Sequence, residues 1–144
     1  VRSVRLAYTD LATGAQKTQT IAYTYDGDNL ATATIDLSPE DGSTSDGNVY
    51  TQSYSYNSDG ALTSITETDG SRLDIGYDGQ GRVVSLAERV SGQDGNAVTR
   101  TTTLSYGSGE TTITDAAGQA TTLRYNADGS LASITAPPAT APAR

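Results

Sequence analysis

Apolar and polar residues alternate with a period of two along most of this chain. Val4, Leu6 and Tyr8 alternate with Arg5 and Ala7, the pattern of a half-buried strand. Leu11 to Ala15, around Gly14, reads as a turn. Thr18 to Tyr25 then returns with Ile21, Tyr23 and Tyr25 on one face. Asp26-Gly-Asp-Asn29 hands over to a strand that runs through Ile35. Residues 38–48, rich in Ser, Asp and Gly, carry no period and read as a surface loop. Beyond them the pattern predicts strands over 49–57, 61–68, 71–78, 82–90, 97–106, 110–115, 120–126 and 130–135. The separators are short Gly/Asp/Asn clusters, which select hairpins over crossovers. No window has a helical period, so the fold expected is all-β, made of consecutive antiparallel hairpins.

One phrase recurs in register along these hairpins. Tyr23-Thr-Tyr25-Asp-Gly-Asp-Asn-Leu30 compares with Tyr54-Ser-Tyr56-Asn-Ser-Asp-Gly60-Ala-Leu62, Tyr77-Asp-Gly-Gln-Gly81-Arg-Val83 and Tyr125-Asn-Ala-Asp-Gly129-Ser-Leu131. Each has an aromatic that ends a strand, an Asx/Gly turn, and an aliphatic that opens the next strand. A recurring supersecondary unit indicates an array in which each unit relies on its neighbours to bury its apolar face. The turn-closing tyrosines fall at Tyr25, Tyr56, Tyr77, Tyr106 and Tyr125, with spacings of 31, 21, 29 and 19. Long and short intervals alternate, which suggests two hairpins per true unit, with loops 38–48 and 91–96 on one rim.

Tyr77-Asp-Gly-Gln-Gly-Arg-Val-Val-Ser-Leu86, Tyr125 to Ile134, and the intervening Thr68-Asp69-Gly70 and Thr114-Asp-Ala-Ala-Gly118 resemble the RHS or YD repeats of bacterial polymorphic toxins and teneurin-type surface proteins. The resemblance covers roughly residues 21–136, as YD-like units at about 21–37, 49–70, 71–90, 97–118 and 119–136 within an array over 1–136. It implies a curved repeat sheet that spirals into a hollow shell. The family also has a self-cleaving aspartyl site built on Asp-Pro-x-Gly. No Asp-Pro occurs here, so self-cleavage does not carry over. Neither a toxin payload nor a plug is visible.

One detail resists simple alternation. Leu62/Ile65, Val83/Leu86 and Leu131/Ile134 are three apart, which puts each pair on opposite faces of an ideal strand. Either a bulge intervenes or both faces carry apolar contacts. After residue 136 the Pro/Ala-rich tail 137–144 cannot extend a sheet.

Composition narrows the function. Hydrophobic residues make up 35 % of the chain, below the roughly 45–50 % of globular domains, so a thick two-layer core is not expected. Phe, Trp, Met, Cys and His are absent, leaving Tyr to supply all aromatic packing. The net charge is −8 and Lys17 is the only lysine. Nucleic acid is therefore not a partner, because phosphate binding needs a basic footprint. No segment has the length of a membrane span. The chain opens on Val1 with no visible signal peptide and reads as a piece of a longer protein. A Cys-free, acidic, Thr/Gly/Asp-rich β-chain points to an extracellular or bacterial cell-surface setting.

Chemistry is scarce. Without His or Cys, the usual triads and thiol nucleophiles are ruled out, and no cofactor is expected. Turns with Asp26/Asp28/Asn29, Asp41/Asp46/Asn48 and Asp94/Asn96 make Asp26, Asp28, Asp41 and Asp46 calcium candidates, but none follows the EF-hand spacing, and ordinary turn chemistry explains them. Glu67 with Asp69, or Asp74 with Asp78, are the carboxylate pairs near strand ends; nothing in their surroundings marks a glycosidase. The structural residues expected are Tyr25, Tyr56, Tyr77, Tyr106, Tyr125, Gly60, Gly81, Gly129, Leu62 and Leu131, with the tyrosines as a cross-strand ladder rather than a strip for glycans or an unfolded guest.

The reading is thus a non-catalytic β-repeat segment, a length of shell wall that encloses or displays a cargo. Its partners are neighbouring repeats or identical copies through sheet edges, with a polypeptide cargo or surface glycan as further partners. The alternatives are a self-assembling filament or surface-layer subunit, and an adhesin gripping a glycan or host protein through loops 38–48 and 91–96.

Overall fold

The structure, a computed structural model, describes residues 2–39, 43–91 and 96–137. Among these, the elements are β1 (Ser3–Thr9), β2 (Gln16–Asp26), β3 (Asn29–Asp36), β4 (Val49–Tyr56), β5 (Leu62–Glu67), β6 (Arg72–Tyr77), β7 (Val83–Ser91), β8 (Ala97–Gly107), β9 (Glu110–Thr114), β10 (Ala120–Tyr125) and β11 (Leu131–Thr135). They follow one another in the sheet in chain order, as consecutive hairpins must. Two compact units divide at Leu73/Asp74, inside β6.

In the first unit, the registers of β1 to β5 sort the side chains cleanly. Val4, Leu6, Tyr8, Ile21, Tyr23, Tyr25, Leu30, Ile35, Tyr54, Tyr56, Leu62 and Ile65 share one face. Thr20, Thr24, Thr32, Thr34, Thr51, Ser53, Ser64 and Thr66 share the other. The second unit repeats the division. Leu86, Leu104, Tyr106, Ile113, Leu123, Tyr125, Leu131 and Ile134 lie on one face, and Ser85, Thr101, Thr103, Ser105, Thr112, Thr114 and Thr122 on the other.

Two of the apolar pairs three residues apart, Leu62/Ile65 and Leu131/Ile134, are explained by bulges. Tyr56 faces Leu62 while Ser55 faces Ser64, so Thr63 is extra. Ala132 is extra in the same way between Tyr125↔Leu131 and Arg124↔Ser133. The added residue returns Leu62 and Ile65, and Leu131 and Ile134, to a common face.

No hydrophobic side chain among the described residues is fully buried. The buried residues are polar: Thr20, Asp36, Ser64 and Thr111. Small β-branched side chains on closely spaced strands shade one another, and their hydroxyls pair across the sheet. Thr24 and Thr32 Oγ1 atoms lie 2.7 Å apart and those of Thr34 and Thr51 3.1 Å apart. Such cross-strand pairs contribute roughly 0.2–1 kcal/mol each. The aliphatic face stays open, with Leu6 64 % and Ile134 60 % exposed.

Candidate functional site: the tyrosine-led hairpins

The turns after Tyr56, Tyr77 and Tyr125 share one geometry. The N–H of Asp78 donates to the carbonyl of Arg82 at 2.9 Å, and the Gly81 N–H to the carbonyl of Asp78 at 3.0 Å. The same pair of bonds closes 57–61, 67–71, 115–119 and 126–130. The Tyr-led turns and the intervening Thr-Asp turns are therefore one device. Its fourth residue needs a left-handed backbone, which Gly81 supplies at φ +77°. In three of these turns the opening Asx fastens the loop: Asp78 Oδ1 accepts the N–H groups of Gln80 and Arg82, both at 2.9 Å, Asn57 Oδ1 accepts those of Asp59 and Ala61, and Asp115 Oδ1 those of Ala117 and Gln119. In the other two, Asp69 and Asp128 accept the N–H of Ser71 and Ser130.

Tyr25, Tyr56 and Tyr125 each face the aliphatic that opens the next strand, Leu30, Leu62 and Leu131, beside a bulge. Two hairpins depart from the shared turn. After Tyr25, Asp26 pairs with Asn29 across Gly27-Asp28. Tyr106 faces Thr111 with no register shift, and Gly107 pairs with Glu110. The Tyr106 hydroxyl instead donates to the carbonyl of Val83 at 2.6 Å, and Tyr56 donates to that of Leu30 at 3.0 Å. Each bond holds the aliphatic that opens the strand before. Arg82 completes the second arrangement. Its guanidinium sits 4.3 Å from the centroid of the Tyr106 ring and its NH2 lies 2.7 Å from Asp78 Oδ2, a cation–π contact locked by an ion pair.

The acidic candidates separate. Asp26 lines a cavity of about 380 Å³ with Asn29, Ala31, Tyr54 and Tyr56. Asp28 is in the tight turn of the same hairpin. Asp46 accepts hydrogen bonds from Ser38 Oγ at 2.5 Å and from the N–H of Asn48 at 3.0 Å; these, the Ser38 bond foremost, hold its carboxyl below the usual range. Asp41 and Asp94 lie outside the described residues. Among the described residues no three His, Cys, Asp or Glu side chains gather as a metal site. Of the carboxylate pairs, Asp69 is engaged by the N–H and hydroxyl of Ser71, and Asp78 by its own turn and Arg82. Glu67 accepts from Gln52 at 3.2 Å. Burial first, then the Glu67 carboxylate, pushes the Tyr50 hydroxyl above its usual value.

Sequence reasoning missed Asp36, which is completely buried, because a strand-ending Asp before a polar loop looks like any turn residue. It also missed Gly76, where a Cβ would collide with Ser85 Oγ; a single glycine in a short strand is the signal for such close approach.

These turns, bulges and tyrosines meet in the stretch from Tyr56 to β7, and residues 56–93 match the family model for the RHS Repeat. Over this stretch the chain is similar to the RHS repeat family. No curated protein matches the sequence. The RHS match begins on Tyr56, takes in the shared turns at 57–61, 67–71 and 78–82 and includes the Arg82–Asp78 ion pair. An RHS repeat is a structural unit, and in this chain its recurring residues serve the backbone: they close turns, set bulges and hold carbonyls.

Proposed function

We propose that this chain is a non-catalytic wall segment of a large secreted or cell-surface RHS-type protein, which encloses or displays a cargo. The observation that carries the reading is the RHS match on a run of like hairpins, each strand paired with its neighbours in sequence. The exposed apolar face supports it, since Leu6, Leu131 and Ile134 in a finished assembly would be covered. The work of such a segment is geometric. Hairpins add edge to edge, twist accumulates, and each unit presents one Tyr/aliphatic and one Thr/Ser surface.

A second reading is favoured by the edges. β1 and β11 each pair on one side only, and an unpaired edge is a template for another chain. Copies joined this way would form a filament or surface layer.

Light scattering after gel filtration, with negative-stain imaging of the same fractions, decides between them. A monomer, or irregular association that disappears when flanking repeats are added, is the result expected of a wall segment. Regular polymers of the 144-residue chain would overturn it in favour of the filament.

A further inference from the structure

At the end of β3 two carboxylates and a hydroxyl come together with too few hydrogens. Asp36 is fully buried. Its Oδ1 accepts the N–H of Ser38 at 2.8 Å and lies 3.2 Å from Ser38 Oγ. The same Ser38 Oγ lies 2.5 Å from Asp46 Oδ2. A hydroxyl has one hydrogen, so it satisfies one of the two carboxylates and leaves the other oxygen–oxygen contact unmatched. Among the described residues, Asp36 Oδ2 is buried with no hydrogen-bond partner. A carboxylate removed from water is tolerated when it is paired or coordinates a cation. Lys17, at the start of β2, has its Nζ 3.0 Å from Asp10 Oδ2.

The backbone around the cluster is held firmly. Gln19 Nε2 donates to the carbonyl of Asp36 at 2.6 Å, the Leu37 N–H to the carbonyl of Asn48 at 2.9 Å, and the Thr18 N–H to that of Pro39 at 2.9 Å. Asp36 and Asp46 therefore face each other across Ser38 from opposite ends of one loop. Asp46 is exposed, which leaves the cluster an approach from solvent.

We propose that Asp36, Ser38 and Asp46 form a binding site for a hard divalent cation of the calcium class. The donors are all oxygen, as calcium prefers, and their mixed carboxylate and hydroxyl set is less suited to the strict octahedron of magnesium. The cation supplies the positive charge that the single Ser38 hydrogen cannot, and water completes its shell on the Asp46 side. Binding ties the two ends of the 38–48 loop together, so the ion stabilises the fold as any ligand of the native state does. The site is independent of the wall reading and stands or falls separately.

The test is isothermal titration of CaCl2 into the whole chain after chelator treatment, with MgCl2 as comparison, alongside thermal unfolding with and without calcium. Calcium is expected to bind one per chain and to raise Tm, with magnesium weaker. Asp46→Asn changes an exposed side chain, so the fold survives; it should weaken calcium binding by about tenfold or more and erase the Tm rise. Asp36→Asn should do the same. The proposal is overturned if the wild-type chain shows neither binding heat nor a Tm change. It is equally overturned if Asp46→Asn and Asp36→Asn keep the wild-type response, or if Asp36→Asn is more stable than a wild type indifferent to calcium.

Discussion

The hydroxyl of Tyr106 donates to the backbone carbonyl of Val83 at 2.6 Å, linking a residue in the middle of one hairpin to the first residue of the strand before it. Tyr56 makes the equivalent bond to Leu30 at 3.0 Å. A tyrosine is required in this place because a phenylalanine would pack the same ring and leave the carbonyl without its donor. Tyr106→Phe is expected to lower unfolding stability by about 0.5–1.5 kcal/mol, and Tyr56→Phe by a similar amount. Urea denaturation followed by circular dichroism measures both. Unchanged midpoints would show that water replaces the bond without cost.

The Arg82 guanidinium joins Tyr106 to Asp78, and the acid response of the fold should register it. Hydrogen bonding from the Arg82 N–H, then from its side chain, holds the Asp78 carboxyl below its ordinary value. A carboxyl lowered in the folded state stabilises fully above its unfolded value, and that contribution disappears as pH falls through the folded one. Asp10, lowered chiefly by Lys17, and Asp128, lowered by Ser130, act in the same direction. Thermal stability should therefore decline on acidification below about pH 4. Asp78→Asn keeps the turn, as Asn57 shows, and should flatten part of that decline. An identical pH profile for the variant would exclude the contribution.

Gly81 has φ +77° with nothing within 4 Å of an added Cβ. Any cost of Gly81→Ala is thus conformational and not steric. A loss of about 1 kcal/mol is expected from placing alanine in the left-handed region, whereas Gly79, without a positive φ, should accept alanine with little change. Comparing the two melting curves separates backbone strain from a general intolerance of the loop.

Gly76 presents the opposite case. An added Cβ would collide with Ser85 Oγ but would be 3.6 Å from Ser85 Cβ, an ordinary contact. Gly76→Ala alone should destabilise by about 1 kcal/mol, since Ser85 must turn its hydroxyl away. With Ser85→Ala the same substitution should become neutral or stabilising, because glycine in a strand carries an entropic penalty. A double-mutant cycle reads the coupling directly, and strictly additive effects would refute it.

The alternation of Val4, Leu6 and Tyr8, the Gly/Asp separators and the recurrence of Tyr25, Tyr56, Tyr77 and Tyr125 determined the strands, the hairpin connections and the RHS resemblance. These are local properties, fixed by φ preferences and by side chains two residues apart, and they are legible in a single chain. What the tertiary structure decided depends on partners distant in sequence. Leu62 and Ile65 share a face only because Thr63 is extra against Tyr56. Tyr106 holds Val83, and the Thr24–Thr32 and Thr34–Thr51 hydroxyl pairs arise only from register. Asp36 is buried where β2 meets the backbone of Asp36 and Pro39 and where Leu37 pairs with Asn48. Periodicity assigns a side chain to a face, but pairing across strands decides which atoms touch and which remain without a partner.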